Sequence, residues 1–226
     1  MSEASDSAGQ RCCLCDRGLN GHILIDPRGR RFCRQHLPAV SLCRYCQHAF
    51  LHTERSDSCT SCRARAVTTE AEAQKLVAMG PLSWFEGHRL AIGDGARSVR
   101  LAHRMPAHPS GREMFGYVEG TQVVIRHALP APVFMLVAAH ELGHLWLSQT
   151  NARLSEAHEE GICDWLSWRF ARDLSHPEYR WLARMIARRS ETGAATAFRE
   201  VRARLGHAEP SELPTLLPMF RRRVLN

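Results

Sequence analysis

Apolar residues recur with helical spacing through most of the chain after residue 66. The longest such segment is 133–148, which follows Pro132, a residue suited to a first helical turn. An alanine-rich segment begins near Thr69 and is interrupted at Pro81. Four further segments have helical spacing, at 156–173, 177–189, 193–205 and 211–223. The pattern predicts a mostly helical domain.

Shorter segments of alternating or β-branched residues predict strands. Three lie ahead of the longest helix, at 98–104, 114–118 and 122–127. The last is the best candidate because it is β-branched and bounded by turn residues. Nearer the N-terminus, 22–25 and 31–32 predict a hairpin around a turn at 26–29. Helices combined with small sheets indicate an α+β fold.

Composition divides the chain into three parts. Residues 1–11 are polar with nothing to bury, which predicts a disordered lead. Eight of the nine cysteines fall within 12–65, and the helical pattern occupies 66–226. With 226 residues and 44% hydrophobic residues, the chain can form one ordinary domain and a small module.

The chain has no apolar run of membrane-spanning length, and its first ten residues lack the apolar core of a secretory signal. We therefore expect a cytoplasmic location, reduced cysteines and no membrane partner. The net charge of +7 comes almost entirely from arginine, since Lys75 is the only lysine. Solvated helix faces and nucleic-acid binding both explain this charge. Nucleic acid is the less favoured partner because no aromatic residues are interleaved in a basic stripe.

The cysteines form ligand pairs with one shared spacing. Four pairs have a two-residue gap, namely Cys12/Cys15, Cys33/His36, Cys43/Cys46 and Cys59/Cys62. Four pairs satisfy two closed tetrahedral zinc sites, so we predict one structural zinc on the first two pairs and another on the last two. Cys13 is an alternative to Cys12, although only Cys12 keeps the two-residue gap to Cys15.

The predicted helix 133–148 carries an HExxH motif, His140-Glu141-Leu142-Gly143-His144. Residues four apart lie on one helix face, so His140 and His144 can bind one zinc ion. Glu141 is rotated by about 100° from His140 and can reach a water on the metal without ligating it. It is therefore the candidate general base. Gly143 is small enough for a second helix to approach closely.

A carboxylate follows at a suitable separation. Glu160 lies sixteen residues after His144, and Asp164 lies four residues further along on the same helix face. This arrangement resembles the thermolysin-like gluzincins. The resemblance implies that Glu160 is the third zinc ligand and that Asp164 supports a ligating histidine. Glu159 is the competing ligand.

Three protein ligands leave the fourth position of a zinc ion open to water, whose pKa the metal lowers towards about 7. Glu141 can then take a proton during attack on a peptide carbonyl. The sequence leaves the oxyanion donor open among five candidates, Tyr117, His127, Tyr179, Arg202 and His207. The segment 122–127 is a candidate edge strand that pairs with extended substrate; the other interpretation is a core strand, and the two are compatible.

Both halves together resemble the LIM-domain, ubiquitin-activated zinc metallopeptidases that restrict organ growth in plants, and their bacterial homologues. The resemblance rests on segments whose order and spacing agree over most of the chain, at 33–36, 43–46, 59–62, 85–87, 103–106, 139–146 and 159–163. It implies a LIM-like module followed by a zincin-like domain, protein or peptide substrates, and a link to ubiquitin. In the family this link depends on N-terminal ubiquitin-interacting helices. The eleven residues before Cys12 predict that this device is absent.

The sequence therefore predicts a zinc endopeptidase with three zinc ions per chain, one catalytic and two structural. A LIM-like module would serve protein recognition. The alternative is a catalytically silent, zinc-bound interaction adaptor. The complete set of His140, Glu141, His144 and Glu160 argues against it, because loss of any one of them would suffice to silence the site.

Overall fold

A computed structural model of the protein describes residues 10–20, 22–52, 56–93, 98–107, 111, 113–188 and 193–220, with backbone alone at 193–195. The chain forms two compact units, the N-terminal unit Met1–Arg65 and the C-terminal unit Ala66–Asn226. The described residues combine helices with small sheets, as the sequence predicts. None of the helices among them is both long and apolar enough to cross a membrane.

The N-terminal unit is built on two antiparallel hairpins. Their strands are β1 (Ile23–Ile25) with β2 (Arg31–Cys33), and β3 (Val40–Leu42) with β4 (Ala49–Leu51). A 3₁₀ helix, Arg34–Ala39, joins the hairpins, and the short helix α1 (Thr60–Ala64) follows the second one. The first hairpin confirms the predicted one. Its turn places Gly29 at φ +85°, a left-handed conformation that glycine adopts without strain.

The last two residues of the predicted lead belong to this unit. The backbone N–H of Leu19 donates to the carbonyl of Gln10 at 2.9 Å, and Arg11 forms an isolated β-bridge with Gly18. The rest of the predicted disordered lead, residues 1–9, lies outside the described residues.

A buried carboxylate links the two hairpins. Asp26 accepts hydrogen bonds from the backbone N–H groups of Arg28, Arg30 and Ala49, each at 2.9 Å. The Arg30 side chain pairs with the same carboxylate at 3.0 Å and donates to the carbonyl of Ala49 at 2.6 Å. Burial alone would raise the pKa of Asp26, but these hydrogen bonds outweigh it and lower the pKa below its ordinary value.

The C-terminal unit contains a three-stranded sheet. Its strands are β5 (Val99–Ala102), β6 (Gly116–Glu119) and β7 (Gln122–Arg126), in the order β5-β7-β6. The central strand β7 is parallel to β5 and antiparallel to β6. Val123, Val124 and Ile125 of β7 are fully buried. Of the two interpretations of segment 122–127, the core strand is therefore correct, and β6 is an edge strand instead.

The helices of the C-terminal unit follow the predicted pattern at most positions. They are α2 (Glu70–Val77), α3 (Ser83–Gly87), α4 (Ala131–Gln149), α5 (Glu156–Asp173), α6 (Pro177–Arg188), α7 (Gly193–Leu205) and α8 (Leu213–Leu216). The side chain of Ser155 caps α5 by accepting from the N–H of His158 at 3.2 Å. A Cβ on Gly143 of α4 would lie 3.3 Å from the Cα of Cys163 of α5. This confirms the prediction that a second helix approaches closely at Gly143.

Two helical predictions are wrong in detail, and proline explains both. Pro81 does not end the helical path, because a π-helical turn, Ala78–Leu82, carries it from α2 into α3. The wider turn accommodates a residue that lacks a backbone N–H. The segment 211–223 is not one helix. Two 3₁₀ turns, Pro210–Glu212 and Leu217–Phe220, flank the short α8, since Pro214 and Pro218 cannot donate to a continuous helical ladder. Residues 221–223 lie outside the described residues.

Candidate metal centres

The first candidate centre lies where the turn at 12–15 meets the end of β2. The ligand atoms of Cys12, Cys15, Cys33 and His36 all lie within 4.8 Å of one another. The Sγ atom of Cys33 is 3.6 Å from that of Cys12 and 3.8 Å from that of Cys15, far longer than the S–S bond of about 2.05 Å in a disulfide. Nε2 of His36 is buried and has no hydrogen-bond partner among the described residues. A buried ring nitrogen without a partner, beside three thiols, fits a metal ligand.

The structure also resolves the choice between the two adjacent cysteines. Cys13 is exposed and lies outside the group, whereas Cys12 is 2% exposed and belongs to it. Burial by itself raises the pKa of Cys12. Hydrogen bonds from the backbone N–H groups of Cys33 and Leu14 help to lower that pKa to about 6. A thiol with a low pKa is readily available as the thiolate that a metal binds.

The second candidate centre consists of Cys43, Cys46, Cys59 and Cys62, all buried, with ligand atoms again within 4.8 Å. Cys43 and Cys46 lie in the turn between β3 and β4, Cys59 precedes α1 and Cys62 lies within it. The Sγ atoms of Cys46 and Cys59 are 3.7 Å apart, so the cysteines are thiols rather than disulfides.

Two of the three CxxC pairs, Cys12/Cys15 and Cys43/Cys46, lie in turns with the same backbone geometry. Each is followed by a residue in the left-handed region, Asp16 and Gln47, both at φ 59°. The N–H of that residue donates to the carbonyl of the first cysteine, Cys12 or Cys43, at 2.8 Å. This tight turn directs both thiols of each pair to one side, where they join a single group of candidate ligands.

The third candidate centre lies between α4 and α5. His140 and His144 project from successive turns of α4, and their Nε2 atoms are 3.2 Å apart. Glu160 of α5 places its carboxylate oxygens 3.6 Å from Nε2 of His140 and 3.3 Å from Nε2 of His144. All three side chains are partly exposed, in contrast to the buried cysteines of the second centre. Two imidazole nitrogens and one carboxylate thus converge on one point that solvent can reach.

The Nδ1 atoms of the two imidazoles contact two other carboxylates of α5. Oδ1 of Asp164 lies 3.1 Å from Nδ1 of His140, where the resemblance to gluzincins placed it. Oε1 of Glu159 lies 3.1 Å from Nδ1 of His144. The sequence left Glu159 and Glu160 as competing ligands, and only Glu160 faces the Nε2 atoms. Consecutive helix residues are about 100° apart and do not face one point, and the sequence favoured Glu160 because only it has a carboxylate, Asp164, one helical turn further along.

The ionisable side chains of the third centre shift one another's pKa values. Burial by itself lowers the pKa of His140, but Asp164 and Glu160 outweigh it and raise that pKa well above its ordinary value. Burial alone would raise the pKa of Glu160, yet the imidazoles of His140 and His144 hold it well below its usual range. At Glu141, which is 6% exposed, burial prevails and the pKa is raised. A divalent cation bound between these groups would take the place of protons on the imidazoles.

Glu141 lies directly against the edge strand β6. A Cβ on Gly116 would lie 2.7 Å from Oε1 of Glu141 and 2.6 Å from Cγ1 of Val137. Only a residue without a side chain lets the strand pass this close to the carboxylate. Sequence reasoning missed Gly116, because its importance depends on a contact between a strand and a helix that no local pattern encodes.

The edge strand presents hydrogen-bonding groups beside Glu141. The N–H of Arg126 donates to the carbonyl of Phe115 at 2.8 Å, and the register pairs Gly116 with Ile125. Hydrogen-bonded and non-hydrogen-bonded pairs alternate in an antiparallel ladder, so the N–H and C=O groups of Gly116 and Val118 point away from β7. Those groups lie on the side of the sheet edge where an extended peptide can pair.

The five candidate oxyanion donors lie in other surroundings. Four of these candidates make contacts with residues outside the third centre: Tyr117 with Arg100, Tyr179 with Met135, His127 with His103, and Arg202 with Trp168. His207 is exposed beyond the end of α7. Strand alternation also places the side chain of Tyr117 on the opposite face of β6 from Gly116, and so away from Glu141.

Comparisons with protein-family models, with curated proteins and with solved structures found no match. The described residues hold three groups that can bind metal ions, two rich in cysteine and one composed of two histidines and a glutamate. All three donor sets are compatible with zinc.

Proposed function

We propose that the protein is a zinc-dependent endopeptidase that hydrolyses peptide bonds in protein substrates. The observation that carries the proposal is the convergence of His140, His144 and Glu160 on one accessible point, with Glu141 close by. These three residues would hold the catalytic metal, an arrangement similar to the HExxH site of gluzincins. When bound, zinc would activate a water molecule and polarise the substrate carbonyl.

Glu141 is the proton carrier of the proposed reaction. Its carboxylate takes one proton from the water as the water oxygen bonds to the carbonyl carbon. It then delivers that proton to the amide nitrogen as the C–N bond breaks, so hydrolysis consumes one water and restores the enzyme. Burial against Gly116 raises the pKa of the carboxylate, which makes it a stronger base for the first of these transfers.

The edge strand β6 would bind the substrate backbone. The outward N–H and C=O groups of Gly116 and Val118 can pair with an extended peptide, a mode of recognition that depends little on side chains. A peptide bound there would pass beside Glu141, since Gly116 contacts that carboxylate. This position brings a scissile bond and the general base together.

The N-terminal unit would hold two structural zinc ions and serve protein recognition. Its two hairpins and its CxxC turns resemble a LIM module, and the layout as a whole resembles the LIM-domain peptidases, with a LIM-like module before a zincin-like domain. Four large apolar side chains of this unit are well exposed: Ile25, Leu37, Leu42 and Leu51. They offer apolar surface that a protein partner could cover. The same observation supports the second candidate function, an interaction adaptor without catalysis.

One digestion experiment separates the two functions. The zinc-loaded protein and its Glu141→Gln variant are each incubated with a library of peptides from a digested proteome, and mass spectrometry identifies new termini. The peptidase predicts new termini with the parent that disappear with the variant and with a zinc chelator. Identical products from both proteins, or no new termini with either, would contradict the peptidase and favour the adaptor.

A further inference from the structure

Glu159 does not belong to the group that converges on the third centre, yet it contacts one of the proposed ligands. Its Oε1 lies 3.1 Å from Nδ1 of His144. A carboxylate acceptor favours the tautomer of a neutral imidazole that carries its proton on Nδ1. In that tautomer the lone pair of Nε2 lies on the ring edge that faces Glu160, 3.3 Å away, where it can bind a metal.

The contact mirrors that of the other histidine. Asp164 lies 3.1 Å from Nδ1 of His140, and its side chain is 11% exposed. The side chain of Glu159 is 43% exposed, so water competes more strongly for its hydrogen bond. Helix α5 therefore places Glu160 beside the Nε2 atoms of both imidazoles. It places one further carboxylate, Asp164 or Glu159, beside the Nδ1 atom of each ring.

The start of α5 fixes Glu159 in this position. Ser155 caps the helix, and the N–H of Glu159 donates to the carbonyl of Ser155 at 2.9 Å. This hydrogen bond closes the first helical turn at Glu159. Because Glu160 is rotated by about 100° from Glu159, one carboxylate reaches the Nε2 side of His144 while the other reaches the Nδ1 side.

We propose that Glu159 is a positioning residue that selects the tautomer of His144 and the orientation of its ring, and thereby strengthens metal binding at this centre. The inference rests on the metallopeptidase proposed above and adds a second supporting carboxylate to Asp164. Partners of this kind typically change metal affinity by about 10- to 100-fold. Because Glu159 is half exposed, the effect lies at the lower end of that range.

The test measures the zinc affinity of the full chain by competition with a chromophoric chelator. Glu159→Ala is expected to weaken binding at the third centre by about 10-fold. Glu159→Gln is expected to recover most of that loss, because its amide oxygen still accepts from Nδ1. Glu156→Ala is the matched control. It removes an acid from the same helix turn, and Glu156 makes no side-chain hydrogen bond or ion pair within the part of the chain that the structure describes.

A second readout separates positioning from general stability. With Co²⁺ in place of zinc at the third centre, the visible absorption bands should shift in Glu159→Ala and return in Glu159→Gln. Thermal unfolding of the metal-free variants should match the parent. A lower unfolding temperature in both Glu159 variants, with unchanged bands, would overturn the positioning role in favour of a purely structural one.

The positioning role of Glu159 and the proposed peptidase function are contradicted by different results. If Glu160→Ala loses zinc while Glu159→Ala binds it as tightly as the parent, the positioning role is overturned and the peptidase stands. If Glu159→Ala loses zinc and Glu160→Ala keeps it, Glu159 is itself the ligand and the inference is wrong. If neither Glu160→Ala nor His144→Ala changes zinc binding, the metal centre does not exist and the proposed function fails as well.

Discussion

A Cβ atom on Gly116 would lie 2.7 Å from Oε1 of Glu141, closer than real Cβ atoms come to other heavy atoms. The edge strand of the sheet and the proposed general base on α4 are therefore in direct contact. Neither can move towards the other without a clash. This contact ties the path of the substrate-binding strand to the position of the carboxylate.

Gly116→Ala is therefore expected to lower activity. The new methyl group must displace β6 or the Glu141 carboxylate, and a misplacement of about 1 Å in a catalytic group can cost about 10²-fold in rate. Overpacking should also lower the free energy of unfolding by about 1–3 kcal/mol. Peptide-cleavage kinetics and urea unfolding measure the two effects. Gly87→Ala is the control, because nothing lies within 4 Å of a Cβ there. Full activity in Gly116→Ala would show that the contact has no catalytic role.

Glu141→Gln is expected to keep the fold and the metal but lose turnover. The amide has the same size and is not itself a base, so kcat should fall by about 10²- to 10⁴-fold. Burial raises the pKa of Glu141, so the ionised carboxylate is held unfavourably in the folded protein. In the metal-free protein the neutral amide should therefore leave the melting temperature unchanged or raise it. Cleavage kinetics, zinc analysis and thermal unfolding provide the measurements. A variant that cleaves as fast as the parent would refute the assigned base.

Asp26→Asn is expected to destabilise the N-terminal unit. The buried carboxylate accepts four hydrogen bonds, and the amide nitrogen of asparagine would face donors instead of accepting from them. We expect a loss of about 2–4 kcal/mol in the free energy of unfolding, measured in urea on the zinc-loaded protein. Asp16→Asn is the control. Asp16 forms an exposed ion pair with Arg11, and its loss should change stability by at most about 0.5 kcal/mol. Equal effects of the two substitutions would contradict the linking role of Asp26.

The same pair of proteins predicts a pH dependence. The pKa of Asp26 is lower in the folded chain than its ordinary value of 3.8, so the contribution of the carboxylate is fully present above that value. It is lost as the pH falls through the lower folded pKa. The stability difference between the parent and Asp26→Asn should therefore narrow below about pH 4. Protonation of the zinc-binding thiols releases zinc and removes the fold of this unit, so the comparison is made only at pH values where zinc analysis shows that both proteins keep their metal. A gap that stays constant to low pH would contradict the lowered pKa.

The parts of the candidate site that the sequence could predict are those encoded by local spacing. His140 and His144 share a helix face because they are four residues apart, and the cysteine pairs share a two-residue gap. Glu160 and Asp164 were likewise related by one helical turn. Each of these groups lies where its spacing suggests, because the relevant geometry is set within a single helix or turn.

The remaining features depend on contacts between distant segments. The support of His144 by Glu159 requires the packing of α5 on α4, and the role of Gly116 requires the strand order β5-β7-β6. The link made by Asp26 joins residues 23 positions apart in sequence. At Pro81 local preference indicates a break, whereas the structure has a π turn that continues the helical path.

The zinc content of the purified chain, compared with that of His144→Ala, tests the account most directly. It needs no known substrate and reports on the centre from which the proposed chemistry follows. We expect about three zinc ions per parent chain and about two in the variant, because the two cysteine-rich centres remain intact. About two zinc ions in both proteins would contradict the account, since the centre formed by His140, His144 and Glu160 would then hold no metal.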